Sequence, residues 1–145
     1  MRRYLSRCLI LWLCLAGPSM ADARLTLNPP PHVESLSLNE VRAIFSMRVR
    51  AWPDGSPITV FVLPDDDPQH QTFVRQVLTL LPHQLRRNWN RLVYTGIGQA
   101  PVEVASETEM RRRLAATPGS IGYLNTDANE HKGNAHGRLV VVSLR

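Results

Sequence analysis

Residues 89–124 read WNRLVYTGIGQAPVEVASETEMRRRLAATPGSIGYL, and their punctuation describes one structural unit. An amphipathic helix carrying Trp89 runs into the glycine loop Thr95-Gly96-Ile97-Gly98 and then Pro101. Ser106 opens a second helix, with Glu109 three residues on to complete a capping box and Met110 and Leu114 turned inward. Thr117-Pro118-Gly119 makes a tight turn into Ser120-Ile121-Gly122-Tyr123-Leu124, which reads as a strand. Glycine and proline stand where the backbone has to change direction between elements.

Upstream, Arg24–Asn28 alternates polar and apolar residues and predicts a short first strand, ended by three prolines. Ser37 and Glu40 form another capping box, with Val41, Ile44 and Phe45 on one face, so a helix is expected over Leu38–Met47. Trp52-Pro53-Asp54-Gly55 is a turn, and the apolar, branched run Ile58–Leu63 predicts a strand buried on both faces. Asp67 caps the next helix, with Pro68 at its first position and Phe73, Val74, Val77, Leu78 and Leu81 as its core stripe. Pro82 ends it, and another helix is expected from about His83 to Val93, burying Leu85, Trp89 and Leu92. Val102–Val104 reads as a short extended segment. A polar loop, Asn125–Gly137, leads to a last strand over Leu139–Leu144. This order predicts one α/β sandwich around a mostly parallel sheet, without internal repeats.

The first residues read as an address. Arg2, Arg3 and Arg7 precede the apolar run Cys8–Ala16, and Gly17-Pro18-Ser19 and small residues follow. That pattern predicts a secretory signal peptide over 1–23, too short for an ordinary membrane span, with one domain over 24–145 and no integral membrane segment after cleavage. Both cysteines, Cys8 and Cys14, lie in this leader. The rest of the chain therefore has no disulfide, no thiolate nucleophile and no cysteine metal ligand. Beyond the leader fourteen basic and eleven acidic residues remain, a net of +3 with Lys132 the sole lysine. So small an excess gives no argument for nucleic acid.

With the elements placed, the chain resembles the phosphate-binding-protein-like family of type II periplasmic solute-binding proteins. The landmarks are LSLNEVRAIF at 36–45, WPDG at 52–55, Phe73, Trp89, Tyr94-Thr95-Gly96, Pro101 and TPGSIGYL at 117–124. The resemblance is to a single lobe of such a protein, and implies a four- to five-stranded, mostly parallel sheet flanked by helices. It implies a periplasmic, non-catalytic binding or interaction module whose partner is an unknown protein or a small solute. The alternative it implies is the substrate-binding component of a phosphate or oxyanion transporter, its cleft completed by homodimerisation or a partner lobe.

In full-length phosphate binders the strand matching Ile58–Leu63 runs into an arginine and a Ser-Gly-Thr at a helix start. There free amides, hydroxyls and a guanidinium hold the anion. Here the resemblance sets Leu63 in the arginine's place and Asp67-Pro68-Gln69 in that of the Ser-Gly-Thr. Pro68 has no amide proton, and Asp65, Asp66 and Asp67 add negative charge, each close like-charge contact costing about 1 kcal/mol even in water. Phosphate is therefore disfavoured, and an acidic helix cap is the simpler reading.

The candidate ligand-binding residues are Asp67, Gln69, His70, Thr95 and Tyr123. For Thr95 and Tyr123 the sequence leaves two readings open: polar lining of a shallow cleft, or hydrogen-bonded core. Asp127, Glu130, His131 and His136 could collect a hard or borderline metal but lack the helical i, i+4 His pairing of a strong motif, and Asp65–Asp67 with His70 is similarly open to a cation. Arg111-Arg112-Arg113 reads as a solvated helix face or as a contact for an acidic partner or a lipid surface. No nucleophile elbow, zinc-protease motif or phosphate loop is present, and Gly96-Ile97-Gly98 lacks the third glycine of a dinucleotide site. The expectation is no enzyme, no metal and no cofactor.

Overall fold

The computed structural model describes residues 23–28, 33, 35–125 and 140–141. The expected leader, most of the polar loop and the ends of the last strand lie outside the described residues. The elements run β1 (Ala23–Asn28), α1 (Leu38–Phe45), β2 (Thr59–Val62), α2 (Pro68–Phe73), α3 (Pro82–Tyr94), β3 (Val102–Glu103), α4 (Glu107–Ala116), β4 (Ser120–Asn125) and β5 (Val140–Val141). A π-helical stretch, Val74–Leu78, continues α2.

The sheet order is β3-β2-β4-β1-β5. β2 pairs parallel with β3 and with β4, whereas β1 pairs antiparallel with β4 and with β5. Four strands thus run one way and β1 alone is reversed. This is the expected α/β lobe, a five-stranded sheet flanked by helices with most strands in one direction, its neighbour pairs parallel on one side of β4 and antiparallel on the other. The reversed strand fits because β1 alternates, with Leu25 opposite Tyr123 and Leu27 opposite Ile121. Both pairs are fully buried on one face of the sheet.

That face meets α1 and α2. Phe45 and Phe73 lie 4.8 Å apart, and Phe73 stacks on Tyr123 at 4.1 Å. The opposite face of β4 carries Gly122, and α4 lies against it. A Cβ added at Gly122 would come within 3.0 Å of Met110 Sδ and 3.3 Å of Leu114 Cδ1, so the missing side chain is what admits the helix. Two indoles donate to backbone carbonyls around this core: Trp89 Nε1 ties α3 to the end of α1 through Phe45 O at 2.7 Å, and Trp52 Nε1 ties its turn to Gly119 O at 3.0 Å.

Local chemistry explains most boundaries. Ser37 and Glu40 satisfy each other's backbone amides at α1, as expected. At α4 only half of the expected box forms: Ser106 Oγ accepts from Glu109 N, but Glu109 Oε2 reaches back to Ala105 N rather than to the cap residue. The helix expected over Leu38–Met47 stops at Phe45, and Met47 takes φ 62°. Leu81, read as core, is 43% exposed, because α2 has already ended at Thr79 (φ 58°) and Leu81 precedes Pro82 as the cap of α3. Leu92 is half-buried rather than core.

Candidate functional site

Because β2, β3 and β4 are parallel, their carboxyl ends share one pole of the sheet, where open α/β folds gather polar groups for ligands. Leu63, Glu103 and Asn125 mark those ends, and the first turn of α2 sits beside them. Asp67 closes that turn, its Oδ1 accepting from Gln69 N at 2.8 Å and His70 N at 3.3 Å. The amides that hold an anion in an open helix start are taken by the chain's own carboxylate.

Gln69, with its amide oriented by its neighbours, donates to Glu107 Oε2 at 3.1 Å and accepts from Asn125 N at 2.7 Å. It bridges α2 to both α4 and β4. His70 is buried, and its Nδ1 lies 2.5 Å from Tyr123 Oη. The same hydroxyl accepts from Leu63 N at 2.9 Å. The other ring nitrogen of His70, Nε2, faces the Asp65 carboxylate at 3.6 Å, so the assignment that suits both ring nitrogens has Tyr123 O–H donating to Nδ1. This puts the neutral imidazole proton on Nε2. Nε2 has no hydrogen-bond partner among the described residues.

Asp65 is gripped at both oxygens by Arg86, with Nε to Oδ2 and Nη2 to Oδ1 each 2.8 Å. Arg86 also reaches Glu103 Oε2 at 3.0 Å and lies over the Trp89 ring at 5.2 Å. The hydrogen bonds from Arg86 hold the Asp65 carboxyl below its ordinary range, against a smaller opposing effect of burial. Burial pushes the His70 imidazole down, and nearby Asp65 offsets only part of this. Burial likewise drives the Tyr123 phenol well up, so it stays protonated.

Four of the five residues singled out from sequence therefore meet at this pole: Asp67, Gln69, His70 and Tyr123. Tyr123 is wholly buried and acts on the others rather than facing solvent. Thr95 lies elsewhere, at the end of α3, its hydroxyl donating to Arg91 O and Leu92 O. The hub of Asp65, Arg86 and Glu103 was missed by sequence reasoning. Its only sequence signal was opposite charge on distant segments, with Arg86 three residues from Trp89.

Asp127, Glu130, His131 and His136 lie outside the described residues. Among the described residues no group of three or more His, Cys, Asp or Glu is placed to hold a metal. Arg111 and Arg113 pair with Glu107 and Glu109 one turn back on α4, as a solvated helix face does. Among the described residues no helix is long and apolar enough to cross a membrane. A separate groove of about 660 Å³ lies between α1 and the Trp52 turn, floored by Leu36, Ile44, Trp52 and Ile58, and shares no residue with the polar cluster.

A family model described as a PBP superfamily domain matches residues 13–142. No curated protein matches the chain. Among solved structures, one described as a phosphate ABC transporter substrate-binding protein with bound phosphate, from Clostridium perfringens, superposes with a TM-score of 0.61 at 14% identity. The match covers 84% of this chain and 44% of that one. PstS from Borrelia burgdorferi matches with a TM-score of 0.47 at 14% identity, over 70% of this chain and 40% of its own. The chain thus spans less than half the length of either structure.

Proposed function

The chain belongs to the PBP superfamily domain family, and from that membership we propose a non-catalytic, exported binding or interaction module that works in the periplasm. Its binding face is the pole where β2, β3 and β4 end, and its ligand is not a free oxyanion. One observation carries this reading. Asp67 Oδ1 occupies the two amides at the start of α2, with Asp65 and Asp66 beside it. An incoming phosphate would have to displace a covalently tethered carboxylate and then sit among like charges.

Thermal unfolding with phosphate and sulfate tests it directly. A ligand present at a hundred times its dissociation constant adds about 2.7 kcal/mol to stability, a shift easily read by calorimetry. No shift is expected here, and an upward shift with either oxyanion would sink the proposal.

A second reading is favoured by the 44% coverage of the phosphate-bound structure. In it the chain is a transporter's substrate-binding component whose cleft is closed by a second copy or a partner lobe. Light scattering coupled to size exclusion separates the two. A strictly monomeric protein whose mass and unfolding are indifferent to oxyanions removes the homodimeric transport reading.

A further inference from the structure

We infer that the polar pole is an acid-responsive latch, in which proton uptake by His70 reverses its bond with Tyr123, draws its other nitrogen onto Asp65 and loosens the first turn of α2. The inference rests on reading this pole as the binding face.

The argument begins with hydrogen-bond capacity. At neutral pH Leu63 N–H donates to Tyr123 Oη, Tyr123 O–H donates to His70 Nδ1, and His70 Nε2–H is left as a buried donor without a partner. Every group in this chain but the last is satisfied. Protonated imidazole has donors at both nitrogens and no acceptor. Its Nδ1–H would then donate to Tyr123 Oη, whose own proton must turn away and lose its acceptor; among the described residues Oη hydrogen-bonds only Leu63 N and His70 Nδ1. At the other nitrogen, a charged donor gains a carboxylate 3.6 Å away, a gap that charge-assisted hydrogen bonds close to about 2.8 Å. Proton uptake thus reverses one hydrogen bond, strands the tyrosine proton and makes a new bond on the opposite side of the ring.

The surroundings set how readily this happens. Facing His70 are Asp65 and Asp67 from the loop before α2, Arg86 from α3, Glu103 from β3 and Tyr123 from β4. The three carboxylates favour the cation, Arg86 opposes it, and burial opposes it most. The latch is therefore shut at neutral pH and yields only in acid. The displacement has a path outward. His70 follows Gln69 in the same turn, and Gln69 links that turn to Glu107 on α4 and to Asn125 at the end of β4. Asp65, drawn toward His70, loosens its two-pronged contact with Arg86, which also holds Glu103.

The test is a ligand-free NMR titration of the purified protein from about pH 8 to about pH 4.5, spanning the ordinary histidine range. Imidazole nitrogen spectra are read together with the backbone amides of Leu63, Gln69 and Asn125. The expected result is an Nε2–H tautomer at neutral pH, a His70 midpoint below about 6.5, and the three amides shifting with that midpoint. An Nδ1–H tautomer, a midpoint at or above the ordinary value, or amides that ignore His70 overturns the latch. In Asp65→Asn the His70 midpoint is expected to fall further, since an attracting charge is gone; an unchanged midpoint counts against the proposal. In His70→Gln the coupled amide shifts should vanish above about pH 5, and their persistence counts against it. The wild-type titration decides the matter if either variant fails to fold. No ligand enters the experiment, so its failure leaves the binding reading standing, and failure of that reading leaves the titration interpretable.

Discussion

Tyr123 shows how much one buried hydroxyl can hold. It ends the amide ladder of β2 through Leu63 N, hydrogen-bonds His70 Nδ1, and stacks its ring on Phe73. Tyr123→Phe keeps the ring but leaves the Leu63 amide and His70 Nδ1 without partners. It should lower unfolding free energy by about 1–3 kcal/mol, the cost of stranding buried polar groups. Urea denaturation measures this, and a loss too small to detect would mean that solvent reaches those groups. Gly119 makes a second point at this scale. It sits at φ +76°, and a Cβ there would meet Pro57 O at 3.0 Å and Trp52 Nε1 at 3.3 Å. Gly119→Ala combines left-handed strain of about 1–2 kcal/mol with a backbone clash, so a drop of at least that size is expected in the same assay. An unchanged midpoint would contradict the turn geometry.

Helices and strands were legible because each had its own local signal. The Ser37–Glu40 pair announced α1, and Ser37→Ala should cost about 1 kcal/mol in denaturation experiments because Glu40 N loses its acceptor. Glycine-bounded Ser120–Leu124 announced the central strand, and the order of elements announced the lobe. The π-helical end of α2 was not legible. His70, Phe73, Val74, Val77 and Leu78 are all buried, and their spacing suits an unbroken α-helix equally well. Leu81 was misplaced for the same reason: one more apolar residue at helical spacing, yet beyond the left-handed Thr79 that ends the element. At the site, the cap at Asp67 could be read from Asp-Pro alone. Arg86 meeting Asp65 across 21 residues could not, because spacing says nothing about which distant charges a fold brings together.

Across the whole molecule, the polar pole ties β2, β3, β4, α2, α3 and α4 through His70, Arg86 and Gln69, so titration there should register in global stability. The sign follows from the directions of the shifts. His70 is harder to protonate folded than unfolded. The unfolded chain therefore binds more protons once the pH falls below about 6.5, and stability drops as the pH descends from there toward the folded value. Asp65 is held ionised by Arg86. Its contribution is present above about pH 3.9 and is lost as the pH falls through its lower folded value. Two separate descents are expected in a plot of urea midpoint against pH. The curve should be level from these groups above about pH 7, fall first below about 6.5, and fall again below about 4. His70→Gln should erase the first descent and leave the second, because Arg86 and Asp65 are untouched. A single descent near pH 4 in the wild-type protein would show that His70 is not held neutral by the fold. The pole would then be a static junction of elements rather than a group of residues whose hydrogen bonds depend on one proton.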